Sequence, residues 1–190
     1  MATLLTDPRD FRVVLTFKQH VSKFHDTLTV SLEVAKTAYM KIKNILLQRT
    51  LSVDLRLRVI KCCVWSILLY GVEIWSLKVR TLNRIEMWTL RRMLRISWTK
   101  HMSNDQVLLR AGVERELLGI VKQRKTSYLG HILRGDRYSI PKLTIQGKIE
   151  GRCGPGRKQH SWLRNIRVWC GVPDAESIFR QAKDNTLVIQ

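Results

Sequence analysis

Apolar residues along this chain recur mostly at helical intervals. From Ser31, Leu32, Ala35, Tyr39, Ile42 and Leu46 follow one another at three and four residues while Lys36 and Lys43 fall on another face. That spacing predicts an amphipathic helix ending near Gln48. Ser52 carries the oxygen an N-cap requires, Asp54 complements the positive end of a helix dipole, and Arg58 stands four residues beyond it, so a second helix is expected to run to about Tyr70. Its later half, around Val59 to Leu69, is apolar nearly all round and calls for neighbours on several sides. Thr81 is placed to cap a third helix reaching about Ile96, and Ser103 or Asn104 a short fourth ending before Gly112. A fifth is expected from about Glu116 to Leu133, with Leu117, Val121, Tyr128 and Ile132 on one face and Leu118 and Leu129 widening it. Two more follow, from Ser161 to about Trp169 and from Asp174 to Lys183.

The remaining segments are less regular. Pro141 to Ile149 is β-branched enough for a short strand, and an extended loop fits as well. Gly151-Arg-Cys-Gly-Pro-Gly-Arg-Lys158 holds three glycines and a proline, too many for a helix or a central strand, and reads as a mobile basic loop. In the first thirty residues Phe11, Val13, Val14, Leu15 and Phe17 fit a short strand, but no cap or turn fixes its ends, and the segment stays unassigned. Gly119 and Gly130 share a face of the fifth helix, where glycine costs about 1 kcal/mol relative to alanine. Close approach of another helix is the first explanation and a phosphate backbone the second. The fold class expected is mainly α: a helical region over 31–100, then a helical region over 101–190 containing the loop at 151–158.

Charge narrows the partners. Among 190 residues, 34 Lys and Arg against 15 Asp and Glu leave a formal +19 and a pI near 10.5, an excess that seeks polyanions. DNA, RNA and an anionic membrane surface all qualify on composition. The most apolar stretch, Val59 to Leu69, is interrupted by Lys61 and falls short of the roughly 20 residues that span a bilayer, so no membrane association is expected. Asp7, Pro8, Arg9 and Asp10 interrupt the run a secretory signal would need. Four cysteines, two adjacent at Cys62 and Cys63, do not make a disulfide framework; reduced thiols and an intracellular product are expected, nuclear or cytoplasmic. Cys62 and Cys63 read as small hydrophobes within the apolar run.

Candidate chemistry is sparse. Two-metal polymerisation needs carboxylates converging on cations, yet no two aspartates are adjacent, and Asp7, Asp10 and Asp26 are the nearest approach to a cluster. No catalytic residue and no cofactor are assigned. Cys153, His160 and Cys170 could ligate zinc but lack the close cysteine pair of structural sites, so no metal site is assigned either. His20, His25 and His101 read as surface or hydrogen-bonded histidines. Placed at 100° intervals, the third helix carries Leu82, Ile85, Met93 and Ile96 as an apolar stripe and Arg84, Trp88, Arg91 and Arg95 on the far side. Arginines interleaved with an indole suit a phosphate backbone and an exposed base; the same pattern also fits a core tryptophan beside a solvated face. Arg152, Arg157 and Lys158 in the basic loop suit a flexible arm that moulds to a groove, or a solvated connector. Trp162 would anchor its helix beside Leu163 and Ile166, or stack on a base.

The segments SLEVAKTAYMKIKNILLQRTLSVDLRLRVIKCCVWSILLYGVEIW, IEMWTLRRMLRISWTKHMSNDQVL, RKTSYLGHILRGD and GKIEGRCGPGRKQHSWLRNIRVW, in this order and spacing, resemble the C-terminal part of reverse transcriptases from non-LTR retrotransposons of the LINE type. The similarity runs from about Glu33 to about Asn185. It implies the thumb over 31–100 and the segment beyond it, helical elements that hold template and primer. The chain departs from that family in having no Tyr-x-Asp-Asp motif, in placing Val72 after Tyr70-Gly71 where relatives commonly have Cys, and in lacking the Arg-Gly-Arg-Pro order in the basic loop. The expectation is therefore a module that grips RNA or an RNA–DNA duplex without bond-making chemistry of its own. A palm domain or another protein would cover the apolar helix of Val64, Trp65, Ile67 and Leu68. Two alternatives stand beside it: a protein-interaction fragment of a decayed element, and part of an active RNA-directed DNA polymerase whose palm is supplied elsewhere.

Overall fold

The computed structural model describes residues 30–48, 50–74, 79–146 and 162–189. Among them every regular element is helical and no strand occurs, so the mainly α class holds. The unassigned first segment and the basic loop at 151–158 lie outside the described residues. The chain divides into two compact units at Leu68 and Leu69, rather than near residue 100, because the third predicted helix packs against elements that follow it.

In the first unit, α1 (residues 30–46) buries Ala35, Tyr39 and Leu46, the three- and four-residue stripe of its sequence. Ser52, with extended φ and ψ, caps α2 (Val53–Ile60): its Oγ accepts from Leu55 N at 3.2 Å. The Asp54–Arg58 pair closes at 2.9 Å, but both side chains are largely solvated and the contact is worth only a few tenths of a kcal/mol. α2 continues into a π-helical turn (Lys61–Trp65) and a closing turn α3 (Ser66–Leu68). Val64, Trp65 and Leu68 are buried within this chain, so the apolar helix is not the open face expected for a palm domain. Cys62 and Cys63, read as core-like, are exposed free thiols. They lie in the π-helical turn whose buried residues are Val64 and Trp65.

The second unit is built around α6 (Leu117–Arg134), against which α4 (Val79–Met93), α7 (Ser139–Gln146), α8 (Trp162–Cys170) and α9 (Ala175–Lys183) pack; α5 (Asn104–Ala111) packs on α4. Leu117, Val121, Leu129 and Ile132 are at most 2% exposed, and each such aliphatic contributes about 1.5–3 kcal/mol by leaving water. α4 begins at Val79, two residues before the expected cap Thr81, which lies inside it. Residues 139–146 are helical although a strand or extended loop was expected over Pro141–Ile149. Pro141 sits in the first turn of α7, where its missing N–H is no loss and its fixed φ suits a helix, and the β-branched residues after it are carried along.

Several helix ends in this unit are closed by local caps. Ser103 and Gln106 form a reciprocal capping box on α5, and Asp174 caps α9 by accepting from Ser177 N and Ser177 Oγ, which also holds its carboxyl below the usual range. At the C-terminal ends, Gly112, Gly171 and Asn185 adopt left-handed φ of 67°, 65° and 57°. The residue after each donates back five positions, Val113 N to Leu108 O, Val172 N to Arg167 O and Thr186 N to Gln181 O, the longer bond of a Schellman motif, and at Gly112 the shorter one from Gly112 N to Leu109 O accompanies it.

Candidate nucleic-acid interface

α4 is strongly two-faced. Leu82, Ile85, Glu86, Met87, Thr89, Leu90 and Met93 are buried, whereas Arg80, Arg84 and Arg92 are exposed. Neither Arg80 nor Arg84 makes an ion pair or a side-chain hydrogen bond among the described residues. The acidic residue of α4, Glu86, is 2% exposed on the opposite side, so nothing on the helix neutralises its outer stripe.

The four residues picked out in the sequence have different roles. Arg84 stands in solvent as expected. Trp88 is half-buried, with the Arg92 guanidinium carbon 4.5 Å from its ring centroid, so the indole is a platform for its own helix neighbour four residues on. Arg91 reaches across to the segment before α5, donating from Nη2 to Met102 O at 2.7 Å and to Asn104 Oδ1 at 3.0 Å; it is a structural tie. Arg95 lies past the helix end, and the 100° projection does not govern it. Its φ is 55°, with Arg95 N bonded to Arg92 O and Ile96 N to Arg91 O, so it occupies the left-handed site of a fourth Schellman end. A non-glycine residue there costs about 1–2 kcal/mol. The side chain is exposed. Arg152, Arg157 and Lys158 lie outside the described residues, as do Cys153 and His160 of the possible zinc set. Among the described residues no group of three potential metal ligands occurs.

Glu86 organises the inner side of the same helix. Its Oε1 accepts from Glu116 N at 3.0 Å and Leu117 N at 3.1 Å, capping α6 from a neighbouring helix. Oε2 is buried without a hydrogen-bond partner. Burial pushes the carboxyl above its ordinary 4.5, and the two backbone donors and Arg115 oppose that rise.

A second polar cluster joins the turn at 69–74 to α6 and α8. Trp162 Nε1 donates to Glu73 O at 2.6 Å, and its ring meets Tyr128 edge-on at 6.4 Å, so Trp162 anchors α8. Arg124 donates to Leu69 O at 3.1 Å and lies 3.7 Å from Glu73 Oε1. Lys125, fully buried, holds Nζ 5.9 Å from the Trp162 centroid, and burial lowers its pKa to about 8 against the pull of Glu73. The glycine pair of α6 is not a helix crossing: Gly119 faces open space, and an added Cβ on Gly130 would come 2.7 Å from Arg134 Nη1. That guanidinium lies over Gly130 to reach Ala182 O at 2.7 Å and Asn185 Oδ1 at 3.3 Å, closing the end of α9.

Arg80, Arg92 and Lys125 escaped the sequence reading. Arg80 and Arg92 could have been found, since they stand four residues from Arg84 and Trp88 on the same face. Lys125 had no signal, because a lysine amid Arg124 and Thr126 looks like surface. No family model, curated protein or solved structure matches this chain. No helix among the described residues is long and apolar enough to cross a membrane.

Proposed function

We propose that this chain is a nucleic-acid-binding module derived from a LINE-type reverse transcriptase, gripping RNA or an RNA–DNA duplex through phosphate contacts and performing no bond-making step of its own. The observation that carries the reading is the outer face of α4, where Arg80, Arg84 and Arg92 stand exposed, with Arg95 exposed in the turn just past the helix end, in a chain of formal charge +19. Such a stripe repels itself and is relieved by a polyanion, with counterion release supplying most of the affinity.

The test is salt-dependent binding of an RNA–DNA hybrid by the full chain, followed by anisotropy. Arg84→Ala and Arg95→Ala should each weaken binding and lower the slope of log affinity against log salt by about 1. Unchanged affinity in the double variant, with the fold intact by circular dichroism, refutes the reading. A protein-binding role is the second reading, favoured by exposed Val30, Val34, Met40 and Ile45 on α1. Association through that face would be insensitive to salt.

A further inference from the structure

We propose that Cys62 and Cys63 form a two-sulfur site for a soft, thiophilic centre of the trivalent-arsenic class, held by both thiols at once. The site lies in the first unit and is independent of the nucleic-acid reading. Both residues are free, exposed thiols, consecutive in sequence, inside the π-helical turn Lys61–Trp65. A π turn holds more residues than an α turn, so consecutive side chains are separated by a smaller rotation about the axis than the roughly 100° of an α-helix. Two neighbouring thiols open to solvent can then be met by one reagent.

Direct oxidation of such a pair is hindered. Neighbouring Cα atoms stand about 3.8 Å apart, below the roughly 4.4–6.8 Å that an unstrained disulfide spans. An atom inserted between the two sulfurs enlarges the ring by one member, so chelation is open where a disulfide is strained. The neighbours set the ligand class. Zinc and calcium sites draw on more ligands than two, and no group of three His, Cys, Asp or Glu able to hold a metal occurs among the described residues. Polar groups on the same helical run are engaged: Asp54 pairs with Arg58, and Ser66 Oγ donates to Cys62 O. Two sulfurs without a third ligand suit a soft centre that they alone satisfy. An organic arsenoxide is such a centre. Two As–S bonds form, both S–H bonds break, and the oxide oxygen leaves with the two protons as water, arsenic staying trivalent throughout.

The test treats the reduced full chain with phenylarsine oxide and follows the adduct by mass spectrometry during challenge with glutathione, a monothiol, or dimercaptopropanol, a dithiol. The expected product carries a single arsenic, resists the monothiol and is released by the dithiol. In Cys62→Ser and in Cys63→Ser the monothiol should strip the adduct about 100-fold faster, because the second attachment that re-closes an opened bond is gone. Cys170 is buried, and Cys153→Ser, which removes the remaining thiol, should leave the resistant adduct intact. Circular dichroism checks that each variant keeps the fold. Absence of an adduct on the wild-type chain overturns the proposal, as does a resistant adduct that persists in either single variant or vanishes in Cys153→Ser.

Discussion

Replacing Glu86 tests the main polar joint of the second unit. In Glu86→Ala the acceptor for Glu116 N and Leu117 N disappears, and Leu117 is fully buried, so water cannot replace it. A buried donor left unpaired costs about 1–3 kcal/mol, a lost cap about 1, and the removed methylene somewhat less. The contributions overlap, and a total of about 2–4 kcal/mol is expected. Glu86→Gln keeps Oε1 in place and sets an amide nitrogen where Oε2 already lacks a partner, so its cost at neutral pH should stay within about 1 kcal/mol. The assay is urea unfolding with the slope held fixed between variants. The pH dependence gives an independent sign. A carboxyl whose folded pKa is raised binds its proton more tightly in the native state, so stability falls as pH rises from 4.5 through the folded value. Wild type should therefore lose stability relative to Glu86→Gln across that window and stay level above it. An alanine cost below about 0.5 kcal/mol, or a glutamine cost equal to it, would refute the capping role.

Other substitutions probe other features. Gly119→Ala should stabilise the chain by about 0.5–1 kcal/mol in thermal unfolding, because the glycine faces open space inside a helix. Arg95→Gly should raise stability by about 1 kcal/mol by relieving the left-handed backbone while lowering nucleic-acid affinity, so melting and binding should move in opposite directions. Lys125→Met should abolish a rise in stability with pH that wild type shows between about 8 and 10.5. The sign follows because a lysine with a lowered folded pKa binds its proton less tightly in the native state, so burying it costs least once it is neutral in both states.

How much of this was legible in the sequence depended on the range of the forces involved. Ser52, Ser103 and Asp174 act on donors three residues away, and their caps could be read directly. The stripe of Leu82, Ile85 and Met93 fixes the buried side of α4, and with it the outward direction of Arg84. The fate of Arg91 depended on Met102 and Asn104, whose positions follow from a loop whose course no local pattern sets. Lys125 and Glu86 took their roles from partners 30 or more residues away in sequence, or from burial that only the packed unit creates. Pro141 was misread because its β-branched neighbours weighed more than its fitness for a first helical turn.

The central place of α6 shapes how the second unit opens. α4, α8 and α9 rest on it and bury its central residues, so the amides there meet solvent only when those three interfaces come apart together. Its hydrogens should exchange at the rate of global unfolding of that unit, the slowest in the protein. α7, which buries no residue, can detach while the rest stays closed, and its amides should exchange orders of magnitude sooner. Among the described helices of that unit, a protease given native protein should therefore cut α7 before the others, leaving the interlocked helices to be degraded only when the whole unit unfolds.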